Sequence, residues 1–570
     1  TGGGGEGQGI QFQPATAATA TKLSAAQQAL LDSPAPAGPG DGAAVIAYLR
    51  GERTGETAGT YRVRAHLLGD LINSEPSVVG SPLQLWFDAG YQDYKTSKSA
   101  RQRMIYVGGN DGMLHAFNAT SGREEWAYVP SLVLPTLNQY TRRTGFSHRF
   151  YVDGSPTSSD VDMNNTGGTN GAGAWRTILV GGLNKGGRGY YALDITDPIS
   201  ASESGATSRV LWEFPNSDPA LATVRPNVGY SFGKPVIVKT RAYGWVVLVA
   251  SGYNNGTDTG GDGQGYLYVL NARNGQLLKT LGTGVGSAAD PSGLAQIQAF
   301  VENDLLDRTA VTVYGGDLKG NVWRFDISDP DPANWNVRKL ATLKDASNQI
   351  QPITTAPELT SFTTDGFTVR MVYVGTGQYL GDTDIPGTVG ANVHATQTQT
   401  IYGLRDSMDG SEISPLRSNL QQQTWIGTGG SRTASSNNVN FAVKKGWYID
   451  LETNERANTN PLLLLGALGI NTNIPNADPC QPGGIGYSNF FDFKTGGFTD
   501  KIPNLTNTTV QAAGLLIHMS AIEARGRVYA ISRCSGTNCA GSGQYATTRV
   551  GANPVPAAVR RISWRELPDL

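Results

Sequence analysis

One pattern recurs along this chain of 570 residues and restricts it to few architectures: an apolar strand, a turn of Gly, Asn and Asp, and a second apolar strand. The clearest copy runs Ile105-Tyr106-Val107-Gly108-Gly109-Asn110-Asp111-Gly112-Met113-Leu114-His115-Ala116-Phe117-Asn118, with apolar residues alternating on both sides of the turn. Asn110, Asp111 and Gly112 tolerate the positive φ angles that tight hairpin turns require. The pattern returns at 178–194, at 247–271 with a longer turn, and at 313–326. Looser versions occupy Val372 to Leu404, Trp447 to Leu451 with its surroundings, and Val528 to Arg533, which makes seven hairpins. A second half of the repeat is a Pro-led strand start: Ser74-Glu75-Pro76, Gly154-Ser155-Pro156, Gly233-Lys234-Pro235 and Thr355-Ala356-Pro357. Pro is confined to an edge or to the first position of a strand, so each marks where a sheet begins.

Val107, Val180, Val249 and Tyr314 follow one another at steps of 73, 69 and 65 residues, which implies sheet modules with long loops. Several hairpins end in Asn or Asp, turn, and pass into a further strand such as Glu124-Glu125-Trp126-Ala127-Tyr128, the order a four-stranded blade needs. The fold class read from this is all-β: a modified β-propeller of about seven blades with a short helical N-terminal segment. Two stacked β-sandwiches are the alternative, although they do not account for a repeat that shares both halves.

Composition agrees with a β-rich globule. There are 73 Gly, and charged residues make up only 16%, which disfavours helical bundles and coiled coils. Hydrophobic residues at 39%, with 10 Trp, 23 Tyr and 16 Phe, suffice for a large core. The net charge of −2 offers no field to draw a phosphate backbone, so nucleic acid is not an expected partner. The longest apolar run, Pro461 to Ile470, is about half the ~20 residues a bilayer-crossing helix needs. Residues 1–60 read as a linker and helical lead-in, with helical spacing at Leu23 to Leu31 and Ala43 to Leu49, and residues 61–570 read as the propeller domain. The chain starts at Thr1 with neither an initiator Met nor a signal sequence, as a fragment of a longer exported precursor would. Of three cysteines, Cys534 and Cys539 flank a polar Ser-Gly-Thr-Asn loop that suits either a local disulfide or two surface thiols, and Cys480 is left over.

The third hairpin carries an insertion, Gly252-Tyr253-Asn254-Asn255-Gly256-Thr257-Asp258-Thr259-Gly260-Gly261-Asp262-Gly263-Gln264-Gly265. Oxygen donors at alternate positions allow a short loop to wrap a hard cation. Counting Asn254 as position 1 puts the Gly256 carbonyl at 3, Asp258 at 5, the Gly260 carbonyl at 7 and Asp262 at 9, with Gly265 at 12 in place of a bidentate Glu. Calcium is the expected ligand, and an ion-free Asn/Asp/Gly turn is the alternative. Asp160-Val161-Asp162 alternates oxygens too but reads as a structural turn. The five histidines, His66, His115, His148, His394 and His518, are scattered without zinc-ligand spacing, and no GxSxG elbow or Walker loop occurs. Glycine-rich Gly186-Gly187-Arg188-Gly189 precedes a strand and reads as a hairpin turn. No catalytic constellation emerges, and the chain is not read as an enzyme.

Asp153-Gly154-Ser155-Pro156-Thr157, the hairpin from Val180-Gly181-Gly182-Leu183 to Ala192-Leu193-Asp194, Tyr314-Gly315-Gly316-Asp317-Leu318-Lys319-Gly320-Asn321-Val322-Trp323-Arg324-Phe325-Asp326 and Gly375-Thr376-Gly377-Gln378-Tyr379-Leu380-Gly381 together resemble the C-terminal domain of PilY-type type IV pilus proteins. The resemblance extends over nearly the whole chain from residue 22. It implies a modified propeller, exported through the periplasm to the pilus tip or outer cell surface, that acts in pilus biogenesis, surface adhesion and twitching motility. Minor pilins and a host or abiotic surface are the implied partners. It also implies a calcium ion in a propeller loop that favours extension over the retraction motor, and Asn254, Asp258 and Asp262 sit where that loop belongs. An integrin-type Arg-Gly-Asp is not present nearby; the nearest tripeptide is Arg50-Gly51-Glu52. Quinone-dependent dehydrogenases, which also use propellers and calcium, form the rival class. They commonly carry adjacent cysteines, which this sequence lacks. A non-catalytic envelope scaffold propeller is the third reading.

Overall fold

Proline sets where the sheets begin. Pro76, Pro156, Pro235 and Pro357 each stand one residue before a strand, respectively Ser77–Val79, Thr157–Asp162, Val236–Thr240 and Glu358–Thr364. The structure is a computed structural model that describes residues 9–14, 21–32, 40–168, 173–476, 483–502, 505–512, 514–524, 527–535, 545–551 and 565–566. Cys480 and Cys539, and with them the proposed cysteine pairing, lie outside the described residues.

The chain divides into two units, the first made of Thr1–Ala295, Val301–Val311 and Ile327–Trp335. Its lead-in carries α1 (Ala25–Ala29), α2 (Gly42–Leu49) and α3 (Thr54–Thr57). Ser24 caps α1 through a capping box with Gln27, so a five-residue helix is closed by local hydrogen bonds. Three antiparallel meanders follow. The first is β1 (Ser77–Val79), β2 (Met104–Gly108), β3 (Leu114–Asn118) and β4 (Glu124–Tyr128). The second is β5 (Thr157–Asp162), β6 (Trp175–Gly182), β7 (Tyr190–Asp194) and β8 (Val210–Phe214). The third is β9 (Val236–Thr240), β10 (Gly244–Ala250), β11 (Tyr266–Asn271) and β12 (Leu277–Gly282). Gly186 to Gly189 is the β6–β7 turn, as its sequence indicated.

The second unit takes Gln296–Phe300, Thr312–Asp326 and Asn336–Leu570. After β13 (Gln296–Asn303), the Thr312 to Gly316 stretch of β14 (Asp307–Gly316) pairs with β15 (Asn321–Asp326), which pairs with β16 (Asn336–Thr342). Next come β17 (Glu358–Thr364), β18 (Phe367–Gly375), β19 (Thr400–Asp406), β20 (Gln421–Gln423), the pair β21 (Trp425–Ile426) and β22 (Thr433–Ala434), and β23 (Gly446–Asp450). Trp447 to Leu451, expected as a hairpin of its own, is instead the strand β23, antiparallel to β19 and flanked in parallel by β20. The hairpin that the sequence did not announce is β25 (Ala467–Pro475) with β26 (Gly484–Asp492), between β24 (Leu462–Leu464) and β27 (Thr509–Ala512). β28 (Leu515–Ala524), β29 (Arg527–Ser535), β30 (Tyr545–Gly551) and β31 (Arg565–Glu566) form the last sheet. Among the described residues no helix is long and apolar enough to cross a membrane.

The Pro-led starts also carry the hydrogen bonds that join successive sheets of the first unit. Ser74 donates its hydroxyl to the Gly154 carbonyl at 3.0 Å and accepts the Gly108 N–H at 2.8 Å. Glu75 N–H reaches the Ser155 hydroxyl at 3.0 Å. Ser231, ahead of the third sheet, instead binds the β6–β7 turn of the second, donating to the Gly189 carbonyl at 2.7 Å and accepting the Leu183 N–H at 2.9 Å. Each hydroxyl satisfies one backbone N–H and one backbone carbonyl.

Asp153 belongs to the same joint, accepting the Asn73 N–H at 3.1 Å and its Nδ2 at 2.6 Å. Burial outweighs these bonds and pushes its carboxyl up to about 6. A carboxyl raised in the folded state is neutral at no cost below its unfolded value and must be charged in a poor solvent above its folded one. Stability is therefore expected to fall between pH 4 and pH 6, by up to about 3 kcal/mol from this group. Asp153→Asn should flatten that part of the melting-temperature profile. An unchanged slope would show that Asp153 titrates alike in both states.

Among the described residues of the first unit are two large apolar clusters. One centres on Trp86, Tyr91, Trp175 and Trp245, all buried. Trp86 lies 5.3 Å from Trp245 and 5.0 Å from Tyr91 between ring centroids, close enough for offset aromatic packing. In the second unit Trp447, Phe491 and Tyr373 occupy the equivalent role. These cores hold the strands rigid while long loops leave at their ends.

Candidate functional site

The inserted loop spans residues 251–265, between β10 and β11, whose register runs from Val246 opposite Asn271 to Ala250 opposite Leu267. The hairpin is extended by Ser251, which donates its N–H to the Tyr266 carbonyl at 2.8 Å and accepts the Tyr266 N–H on its hydroxyl at 3.0 Å. Tyr253 exchanges backbone hydrogen bonds with Tyr230 at 2.7 and 3.1 Å, which fixes the first turn of the loop. The glycines beyond are required sterically. A Cβ on Gly256 would stand 2.2 Å from the Ala288 carbonyl oxygen, and one on Gly263, at φ +75°, would stand 1.9 Å from that of Ser287.

The five predicted donors share this loop but differ in state. Asn254 is exposed and left-handed, at φ 56°. Asp258 is exposed on the short 3₁₀ turn Thr257–Thr259. The Gly256 carbonyl accepts the N–H groups of Thr259 at 3.0 Å and Gly261 at 2.9 Å, whereas Gly260, at φ 73°, ends the turn facing open space. Asp262 is exposed and held: Oδ1 accepts the Gln264 N–H at 2.9 Å and Oδ2 the Tyr266 hydroxyl at 2.5 Å. Burial together with this carboxylate pushes the Tyr266 phenol up to about 12.

Sequence reasoning missed Asn255. It is buried, and its Nδ2 spans the loop to the carbonyls of Asn227 at 3.2 Å and Gln264 at 2.8 Å. Its Oδ1 is buried with no hydrogen-bond partner. An enclosed amide oxygen without a donor carries a desolvation cost that a cation or water would remove. Among the described residues no group of three or more His, Cys, Asp or Glu is placed to hold a metal. The loop's donors are amide, carboxylate and carbonyl oxygens, a set that fits a hard cation such as calcium and no softer ion.

The other motifs behave structurally. Asp160 accepts the hydroxyls of Tyr91 at 2.8 Å and Thr177 at 2.5 Å, and Asp162 accepts the N–H groups of Asn164, Gly173 and Ala174. His115 is buried between Asp111 at 3.1 Å and Glu124 at 2.7 Å, and these carboxylates overcome burial to push its imidazole up to about 9.

Antiparallel four-stranded meanders, each opened by a Pro-led strand, define a protein of the β-propeller class. Residues 68–438 match the family model described as the PilY1 beta-propeller domain. The chain belongs to that family. It is 32% identical over 509 residues to the type IV pilus biogenesis factor PilY1 of Pseudomonas aeruginosa strain PAK, covering 80% of this chain and 40% of that protein. A type IV pilus biogenesis factor PilY1 homolog of Xylella fastidiosa strain Temecula1 is 30% identical over 559 residues, covering 92% of this chain and 41% of its own length. The chain thus spans about two fifths of these relatives. The crystal structure of the Pseudomonas aeruginosa PilY1 C-terminal domain superposes with a TM-score of 0.61 at 25% identity, covering 84% of this chain and all of that one.

Proposed function

We propose that this chain is the calcium-binding propeller of a type IV pilus-associated protein that acts in pilus biogenesis, in the balance of extension and retraction that drives twitching, and in surface adhesion. The family match over residues 68–438 carries the reading. In it, residues 61–570 form one propeller of about seven blades behind a lead-in of residues 1–60. The protein is exported through the periplasm to the pilus tip or outer surface, where minor pilins and a host or abiotic surface are its partners. The role is structural and regulatory rather than catalytic.

The side chains of Asn254, Asp258 and Asp262 and the carbonyls of Gly256 and Gly260 would hold the ion, with the Asn255 amide as an enclosed further donor. A bound calcium ion would supply two positive charges against the two carboxylates. Without such a charge, Asp258 and Asp262 repel each other, and Asp262 rests on the Tyr266 hydroxyl and the Gln264 N–H. Loop order then depends on occupancy, and a partner that contacts the loop meets two states. Extracellular sites of this kind bind at roughly 10⁻⁴ to 10⁻³ M.

About 5 mM calcium is expected to stabilise the wild-type chain by about 1–2 kcal/mol. Asp258→Ala and Asp262→Ala should each abolish that increment while melting normally in chelator. Equal melting of the wild type in calcium and in chelator would reject the site. For the pilus role, cells carrying either variant in the full-length protein should lose the calcium dependence of twitching.

A further inference from the structure

The first unit contains a cleft of about 1200 Å³ that the calcium loop does not line. Two strand edges form its sides. β4 is the last strand of its sheet and contributes Glu124 through Tyr128, and β8 is the last strand of its own and contributes Val210 through Glu213. β4 takes its ladder bonds from β3 and β8 from β7, so the outward backbone groups of both have no ladder partner among the described residues. The remaining wall mixes apolar and charged groups: Ile10, Phe12, Trp126, Val129, Leu132 and Val210 are only partly buried although they pack on the core, and Arg50, Glu203 and Arg225 line the cleft with them.

The edges are fixed rather than loose. The Tyr128 hydroxyl donates to Glu213 at 2.6 Å, and the Ser131 N–H reaches the same carboxylate at 2.7 Å. Trp126 donates its indole N–H to the Pro198 carbonyl at 2.8 Å. Beside Trp126, Arg209 packs its guanidinium 5.3 Å from the ring centroid and lines the cleft at 8% exposure. Its hydrogen bonds go to neutral acceptors: the Ser200 hydroxyl at 2.6 and 3.1 Å and the Asp194 carbonyl at 3.4 Å. Asp194 and Asp197 act on it through space without a carboxylate bond, and they are paired with Arg176 at 3.2 Å and Lys98 at 2.6 Å. A buried guanidinium with no carboxylate hydrogen-bonded to it lowers its energy by taking one.

We infer that the β4–β8 cleft is a docking site for an extended strand of a partner polypeptide, with alternating β-branched apolar side chains and one carboxylate directed at Arg209. Free strand edges recognise backbone, the apolar wall recognises alternate side chains, and Arg209 fixes register. A lipid chain would leave the edges unpaired, and a helix could not pair with them. The inference is independent of the calcium and pilus readings.

The test is selection of random short peptides displayed on phage against the whole chain, counter-selected on Leu132→Asp, which places a charge in the cleft. The selected peptides are expected to alternate β-branched and polar residues with one acidic residue. Added as synthetic peptides, they should slow hydrogen exchange at the backbone amides of β4 and β8 at least about fivefold. N-methylation at alternate positions should remove binding, and Arg209→Gln should weaken it at least tenfold for peptides carrying the acid but not for those with its amide. Should Leu132→Asp misfold, Arg209→Gln serves as the counter-selection target. Failure to enrich alternating sequences, or binding that leaves the β4 and β8 amides unprotected, overturns the inference.

Discussion

Replacing Glu455 by Gln is expected to destabilise the second unit by about 3–5 kcal/mol, among the largest effects of any single polar substitution in the chain. Glu455 and Arg432 are both fully buried and form a bidentate pair, Nη1 and Nη2 each 2.6 Å from a carboxylate oxygen. Nε of Arg432 also donates to the Thr509 hydroxyl at 3.1 Å and Nη2 to Asn489 at 3.2 Å, and Nη1 lies 3.5 Å from the Glu452 carboxylate. Its planar face is covered by Trp425 at 4.0 Å and Tyr487 at 4.8 Å. Glu455 likewise accepts the Thr472 hydroxyl. Loss of Glu455 leaves the buried cation with only its longer contact to the Glu452 carboxylate, so the cost exceeds the bond itself. Replacing both residues together, Arg432→Met with Glu455→Leu, should cost less than either change alone, because the only charge then left without its partner is that of Glu452, which reaches solvent. Denaturant unfolding of the two single variants and the double variant measures this; additive losses would mean that the pair is not a closed unit.

That pair also shows where the sequence stops being readable. Charged residues are rarely enclosed, so Arg432 and Glu455 look like surface residues until the sheets bring β22, β26 and β27 around them. The same holds for β25, where Asn471, Thr472 and Asn473 are buried and bonded to neighbours such as Ser488, Asn489 and the Leu516 carbonyl, with the Asn471 Nδ2 left unbonded among the described residues. A strand whose inward positions are polar shows no apolar alternation, and its hairpin with β26 lacks the Gly-Gly-Asx turn of the other copies. Trp447 to Leu451, with its alternating apolar residues, carries the stronger hairpin signal in the sequence. The hairpins that could be read directly, β2–β3, β6–β7, β10–β11 and β14–β15, keep both the apolar alternation and the turn.

The candidate site divides in the same way. Its position was legible, because an insertion rich in Asn, Asp and Gly interrupts a hairpin whose strands are otherwise regular. Which of two adjacent asparagines turns inward was not. Asn254 adopts a left-handed backbone and faces solvent, which turns Asn255 into the protein. That choice depends on the Tyr253–Tyr230 bridge, a contact between distant segments. The hold of Tyr266 on Asp262 is equally tertiary. It implies that Tyr266→Phe frees Asp262 and should tighten calcium binding if the loop takes the ion.

Arg456→Met should open the loop of residues 378–396 at a cost of about 3 kcal/mol, the second large effect expected. Arg456 is buried and directs its guanidinium at backbone carbonyls, those of Gln378 at 3.0 Å, Ala395 at 2.9 Å and Asp384. These carbonyls lie at the two ends and the middle of one excursion of the chain, so a single planar cation closes it. Asp384, buried in the same loop, accepts the N–H groups of Leu380 at 2.6 Å and Gly381 at 3.1 Å and the Gln378 amide at 2.8 Å, and its charge supports the Arg456 cation against the penalty of burial. With methionine the carbonyls lose their donors and Asp384 loses its counter-charge, while the apolar stem is retained, so the effect is electrostatic rather than a matter of volume. Lysine keeps the charge but offers one nitrogen in place of a fork, and Arg456→Lys should fall between methionine and the wild type. The exposed tip residues Val389 and Val393 make the loop an accessible protease target once it opens. Limited proteolysis and amide exchange at Leu380 and Gly381 read the opening directly, and a variant that keeps wild-type protection there would show that the loop is closed by other contacts.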